Sequence, residues 1–143
     1  MSGYLIDTNV ISEFVKPNPS AKTIRWLRET DPNTLFVSVV TIGEIRLGIE
    51  SMTAGKRRTD LEAWVDVGLP DWFASNLLPI TREIADQWGR LTVLARRSGS
   101  TLTTADGLLA ATAAVHNLRL VTRNVKDFTG LGLTLFNPWD NPE

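Results

Sequence analysis

Residues 4–14 read YLIDTNVISEF, and a change of period inside this stretch decides the fold. Tyr4, Leu5 and Ile6 form a short apolar run that stops at Asp7, and the next apolar positions, Val10, Ile11 and Phe14, recur at helical spacing. A strand therefore hands over to a helix at an acidic residue. Pro17 and Pro19 break that helix, Ser20 is placed to cap the next one, and Ile24, Trp26 and Leu27 give it an apolar face. Asp31-Pro32-Asn33 closes it as a turn.

The same hand-over recurs along the chain. LFVSVV (35–40) is a β-branched run that predicts a second strand, and TIGEIRLGIE (41–50) is helical in pattern. In GKRRTDLEAWVDVGL (55–69) the stripe Leu61, Trp64, Val65, Leu69 predicts another helix, so a helical hairpin spans the middle of the chain. LLPI (77–80) is extended, and Thr81 caps a helix that runs through Ile84, Trp88, Leu91 and Ala95 to the loop RRSGS (96–100). Thr103 or Thr104 starts the alanine-rich helix ADGLLAATAAVHN (105–117), which ends at Asn117. LRLVT (118–122) is a strand, TRNVKDF (122–128) a turn, GLTLF (132–136) a short strand and NPWDNPE (137–143) an irregular tail. Strands alternating with helices predict one α/β domain over residues 1–143, with a mostly parallel central sheet, helices on both faces and right-handed crossovers.

Composition narrows the chemistry. With 43% hydrophobic and 22% charged residues, the 143-residue chain has an ordinary globular make-up. It has no cysteine, which excludes disulfides, thiolate catalysis and cysteine-based zinc or iron sites. His116, the one histidine, sits near a helix C-terminus, where a solvated ring is ordinary, and a Ser-His-Asp triad would hinge on it alone. No basic segment precedes an apolar stretch at the N-terminus and no window approaches the ~20 apolar residues of a membrane span, so the expected location is the cytoplasm. The net charge of −1 lacks the basic excess of many nucleic-acid binders. If four of the 16 acids are neutralised in a pocket, however, the remaining 12 face 15 lysines and arginines. Glycines show no phosphate-loop spacing.

In a parallel sheet, ligands bind beyond the carboxyl ends of the strands. That rule selects Asp7 after YLI, Glu44 beyond LFVSVV, Asp106 at the start of the alanine-rich helix, and Asn124 with Asp127 after LRLVT. Carboxylates gathered on one edge repel one another and call for a compensating cation, and Mg²⁺ or Mn²⁺ prefers such oxygen ligands. Each acid also has a structural reading as a helix first-turn residue. Asp7 reads as an N-cap, Thr41 and Glu44 have capping-box spacing, and so do Thr103 and Asp106. The structural reading does not require acids at all these strand ends together. Thr8, Asn9 and Thr122 flank the cluster and can orient carboxylates, waters or substrate. Arg123 and Lys126 lie beside it, where they can meet phosphates, whereas Lys56-Arg57-Arg58, Arg96-Arg97 and Arg119 read equally as solvated faces. Trp26, Trp64, Trp72 and Trp88 are expected in the core, and Trp139, between prolines, is freer to pack on a partner subunit.

The blocks LIDTNVISE, VSVVTIGEIRLGIE, TTADGLLAATAAVHNLRLVTRNVKDF and FNPWD, in this order over nearly the whole chain, resemble the VapC-like PIN-domain ribonucleases. These are toxins of bacterial toxin–antitoxin pairs, and the resemblance is to the FitB-like branch. It implies a PIN-like fold, an acidic site of Asp7, Glu44 and Asp106, Mg²⁺ or Mn²⁺ dependence, RNA cleavage, inhibition by a cognate antitoxin, contact with DNA only through that antitoxin, and a homodimer. The family's fourth acid falls at Asn124, with Asp127 three residues later, which leaves open which of the two completes the site. The expectation is a metal-dependent endoribonuclease that uses water as nucleophile. Two alternatives stand beside it. One is an inactive PIN-like module that binds a basic partner in its acidic groove. The other is a phosphatase with Asp7 as nucleophile, against which Asn9 counts.

Overall fold

In the computed structural model, which describes residues 2–140, β1 (Tyr4–Ile6) is the central strand of a five-stranded sheet. Its neighbours are β2 (Leu35–Ser38) and β4 (Arg119–Val121), with β3 (Leu77–Leu78) beyond β2 and β5 (Leu135–Phe136) beyond β4. Every pairing is parallel, with Tyr4 opposite both Leu35 and Arg119 and Ile6 opposite Val121. The carboxyl ends of the three inner strands thus open on the same edge.

The pleat divides the core in two. Leu5 packs on one face with Leu120, Ile84, Leu91, Leu109 and Phe128, while Ile6 packs on the other with Val121, Val37, Trp26, Leu27 and Ile45. The first face is covered by α6 (Arg82–Arg97) and α7 (Thr104–His116), the second by α2 (Ala21–Glu29), α3 (Val39–Glu50) and α5 (Leu69–Phe73). Caps define these helices as the sequence suggests. Ser20 accepts from Thr23 N–H at 3.2 Å, Thr81 from Ile84 N–H at 3.2 Å, and Asn117 closes α7 in the left-handed conformation at φ 54°.

Four expectations are corrected. The strand predicted over 35–40 stops at Ser38, whose hydroxyl accepts from Val40 N–H at 3.0 Å; this cap draws Val39 and Val40 into α3 against their β-propensity. The helix after Asp7 has only one turn of α geometry, α1 (Thr8–Ile11), before it tightens to 3₁₀ over Ser12–Val15. The helix beginning at α4 (Lys56–Ala63) does not end at Leu69 but widens to π geometry over Trp64–Gly68 and continues as α5. Pro70 has no N–H to give Asp66 and its ring crowds that carbonyl, so the wider turn relieves both problems. Finally, GLTLF is strand only at Leu135–Phe136. Of the tail NPWDNPE, residues 141–143 lie outside the described residues.

Trp26 is buried, whereas Trp64 and Trp72 are half-buried against the same core layer and also line an open groove of about 510 Å³ with Phe14 and Leu27. Trp139 packs on its own chain, against the core beside Phe136's layer and under the Arg123 guanidinium, 5.0 Å from the ring centroid.

α6 and α7 pack closely at Gly107, where an added Cβ would stand 2.7 Å from Trp88 Cδ1 and 2.8 Å from its Nε1. Gly107→Ala is expected to push α7, and Asp106 with it, away from α6 and to cost about 1–3 kcal/mol by overpacking. Gly48→Ala, in α3 with nothing within 4 Å of its new Cβ, should instead gain about 0.5–1 kcal/mol. Opposite shifts of the denaturation midpoint in the two variants check the assignment.

Candidate active site

Asp7 is where β1 ends, and three bonds determine its place. Its backbone N–H donates to Val121 O at 2.9 Å, which continues the β1–β4 ladder one step past the strand. Its Oδ1 accepts from Thr8 N–H at 2.7 Å, and its Oδ2 accepts from Thr122 Oγ1 at 2.8 Å. With φ −70° and ψ 157°, Asp7 is the N-cap of α1, so the structural reading is true of it. It does not exhaust the residue, because Asp7 is only 5% exposed. A buried charge that serves only as a cap is costly when a serine does the same work.

Glu44 approaches from α3. Its Oε1 accepts from Thr8 Oγ1 at 2.6 Å, and the buried Thr41 hydroxyl lies 3.4 Å from the same oxygen of Thr8. Since Ser38 caps α3, Thr41 stands inside the helix, and the capping-box reading of Thr41 and Glu44 is withdrawn. Thr8 joins two acids: its N–H holds Asp7 and its hydroxyl holds Glu44.

Asp106 comes from the first turn of α7, where Thr103 Oγ1 accepts from its N–H at 3.1 Å. Half of the expected capping box is present. The β4 exit carries the remaining residues. Thr122 Oγ1 also accepts from Asn124 N–H at 3.0 Å, and Asn124 O accepts from Asp127 N–H at 3.0 Å as the 3₁₀ turn Val125–Phe128 begins. Asn9 spans the two loops. Its Nδ2 lies 3.4 Å from Asp7 Oδ2 and 3.5 Å from Thr122 Oγ1, and its Oδ1 accepts from Arg123 N–H at 3.2 Å.

The acids act on one another electrostatically. Burial pushes the Asp7 carboxyl up to about 6, the bonds from Thr122 and Thr8 oppose this, and the charges of Asp106 and Glu44 add to it. Asp106 is also raised, by burial first and then by Asp127 and Glu44, against the bond at Thr103. Asp7, Glu44, Asp106 and Asp127 therefore share one field, in which Asp127 bears on Asp106 more than Glu44 does. Asn124 contributes no charge to it. Among the described residues, no lysine or arginine is ion-paired with Asp7, Glu44 or Asp106, and no three Asp, Glu or His side chains stand close enough together to enclose a metal ion.

Glu13 was not singled out by its sequence. It is 3% exposed, its Oε1 accepts from Ser20 N–H at 2.8 Å, and Lys16 Nζ lies 2.7 Å from its Oε2. Burial acts to raise this carboxyl, but the Lys16 and Ser20 contacts, with the charge of Arg123, hold it below the usual range. The available signal was its spacing of three from Val10, which puts an acid on the apolar stripe of the first helix.

Residues 4–129 match the PIN domain. The chain belongs to the PIN-domain family. Among PIN-domain relatives, it is 35% identical to the VapC ribonuclease Y4jK of Sinorhizobium fredii over 95% of this chain and 97% of that protein. It is 33% identical to the toxin FitB of Neisseria gonorrhoeae, over 94% of this chain and 97% of FitB. The solved structure of FitAB bound to a DNA fragment superposes with a TM-score of 0.89 at 32% identity, covering 95% of each chain. The parallel sheet with helices on both faces is thus the architecture of PIN-domain toxins.

The raised Asp7 carboxyl has a consequence for stability. The folded state binds the Asp7 proton more tightly than the unfolded state, whose value is near 3.8, so stability falls as pH climbs from about 4 to about 6 and the whole penalty is present above that. In buffer free of divalent ions, Asp7→Asn should stabilise the protein at pH 7 by up to about 3 kcal/mol, less whatever the Thr8 and Thr122 bonds lose. The gain should vanish near pH 4. Urea melts of both proteins across this range would show it, and a destabilised variant at pH 7 would mean that Asp7 is held chiefly as a cap.

Proposed function

We propose that this PIN-domain protein is a divalent-metal-dependent endoribonuclease, the toxin of a toxin–antitoxin pair, which hydrolyses RNA phosphodiesters at the acidic edge of its sheet. The observation that carries this reading is the Asp7 carboxylate, buried, facing the charges of Glu44 and Asp106, with no cation paired to any of the three among the described residues. Such an arrangement is relieved by a cation brought from outside.

The donor set fits Mg²⁺ or Mn²⁺. All the donors are hard oxygens, and an ion of this kind is commonly held by one or two carboxylates while it keeps several waters, which suits a site where no three acids converge. In this reading Asp7 and Asp106 would be the principal ligands, with Glu44 and Asp127 reaching the ion through its waters beside the neutral Asn124. When bound, the ion polarises a phosphoryl oxygen and lowers the pKa of water enough for it to attack at neutral pH. The protein's own part is orientation. Thr122 and the Thr8 N–H fix the two oxygens of Asp7, the Thr8 hydroxyl fixes Glu44, and Asn9 ties the Arg123 backbone to the same turn. Arg123 and Lys126, both exposed beside the acids, are placed to contact the RNA, Lys126 through its charge on a phosphate.

The names of the relatives, a ribonuclease and a toxin, support RNA as the substrate. The FitAB assembly on DNA supports a partner protein, the antitoxin, through which this chain reaches DNA. A basic side chain from that partner would complement the acids in place of the metal. No helix among the described residues is long and apolar enough to cross a membrane, and a cytoplasmic homodimer belongs to the same proposal. A second reading, an inactive module that uses the acidic groove only for binding, is favoured by the amide at Asn124.

The test is cleavage of total tRNA and ribosomal RNA by partner-free protein with Mg²⁺, with Mn²⁺ and with EDTA. Discrete fragments are expected with either metal, none with EDTA, and a loss of at least about 100-fold in Asp7→Asn and in Asp106→Asn, as transition-state electrostatics of this size imply. Folded protein that cuts no RNA under either metal would transfer the conclusion to the binding module.

A further inference from the structure

On the β4–β5 side of the acids lies a groove of about 570 Å³, lined by Arg123, Asn124, Lys126, Asp127, Asn137 and Asp140. Asn124 and Asp127 are also residues of the acidic edge, so the groove and the proposed reaction site share a wall. Its size is that of a pocket for one small organic group. Most of its side chains are charged or amide-bearing, which suits a polar ligand better than the apolar anchors of a protein partner.

Arg123 is exposed but oriented by its surroundings. Its backbone N–H is bound by Asn9, its guanidinium carbon lies 5.0 Å from the Trp139 ring centroid, and its charge bears on the buried Glu13 carboxylate. Trp139 is itself tethered: its N–H donates to Asn137 Oδ1 at 2.9 Å and its carbonyl accepts from Lys22 Nζ at 3.1 Å. A guanidinium placed between a carboxylate's field and an indole ring has its charge partly answered already. What it offers the groove is a flat face backed by the indole.

Lys126 is the complement. It is exposed on the 3₁₀ turn and is ion-paired with no acid among the described residues. At the other wall, Asn137 Nδ2 donates to Asp140 Oδ2 at 3.1 Å, which sets a carboxylate where it can accept from the N–H edge of a base.

We propose that this groove holds an unpaired nucleotide of the RNA next to the scissile phosphodiester, with its base stacked on the Arg123 plane that Trp139 backs and its phosphate on Lys126. Splayed, single-stranded bases are read in this way, on aromatic or guanidinium planes and by their edges. The proposal rests on the nuclease reading above for its substrate class, and stacking and charge are assigned to different residues, so they can be separated.

The measurement is anisotropy of a labelled ten-nucleotide single-stranded RNA with the full chain in EDTA, over a salt series. Lys126→Ala is expected to weaken binding about tenfold and to flatten the salt dependence by about 0.7 in log–log slope, one phosphate contact's worth. Arg123→Lys, which keeps the charge and loses the plane, should weaken binding about tenfold with the slope unchanged. Lys56→Ala, on α4 and paired with Asp60, should change neither. Thermal melts establish that each variant is folded, and exposed Lys126 serves if Arg123→Lys fails to fold. Unchanged RNA affinity in the folded variants overturns the proposal and leaves the groove to a protein partner. An Arg123→Lys variant that binds like the original chain overturns the stacking role. Cleavage by the original chain together with unaltered binding in both variants sinks the groove alone. Weakened binding in both without cleavage by the original chain sinks the nuclease reading alone.

Discussion

The structure depends on holding one carboxylate, that of Asp7, at the end of the central strand and almost out of contact with water. A strand flanked on both sides by parallel neighbours brings its last residue into the middle of the sheet edge, and the Asp7 N–H to Val121 O bond carries that alignment past the strand's end. Thr122, the residue that follows β4, then completes the carboxylate's hydrogen bonding. Buried and partly satisfied, Asp7 still lacks a countercharge, and its proton affinity rises accordingly. Burying this charge lowers stability at neutral pH.

The remaining elements translate that constraint into a site. Two of the acids stand at helix starts, Asp7 as the cap of α1 and Asp106 in the first turn of α7, while Glu44 stands in the second turn of α3. Helix starts offer unpaired N–H groups and a favourable dipole, so acids there are tolerated at lower cost than in a helix interior. Small hydroxyl residues link the elements: Thr8 reaches Glu44, and Thr122 reaches Asp7 while its oxygen accepts from Asn124 N–H. The site is thus preorganised by threonines rather than by countercharges, and its field stays negative.

Much of this was legible before the structure. The strand–helix alternation, the caps at Ser20, Thr81 and Thr103, the αL stop at Asn117 and the position of the acids at strand ends all follow from local rules of period and capping. The misreadings share a cause. LFVSVV looks like one strand because β-branched residues favour strands, yet a single serine hydroxyl started the helix two residues earlier than pattern alone allows. The stripe Leu61, Trp64, Val65, Leu69 predicts a helix over 55–69, yet the helix runs on through a π turn to Phe73, which is buried in the same core layer as Val65 and Leu69. Trp139 looked free because its neighbours are prolines, and its partner, Arg123, is 16 residues away in sequence.

By itself the sequence determined which residue types stand at which strand ends, because the hydrophobic period and the caps are local properties of consecutive residues. It determined the absence of thiol chemistry in the same direct way, and it carried the ordered blocks by which the family is recognised. Only the tertiary structure decided that Thr8 binds Glu44, that Thr122 rather than a cation answers Asp7, that Asp127 bears on Asp106 more strongly than Glu44 does, and that Glu13 is buried beside Arg123. These pairings join segments from different parts of the chain across the sheet edge. Their energies depend on distance and local dielectric, which come into being only when the sheet has closed around the central strand.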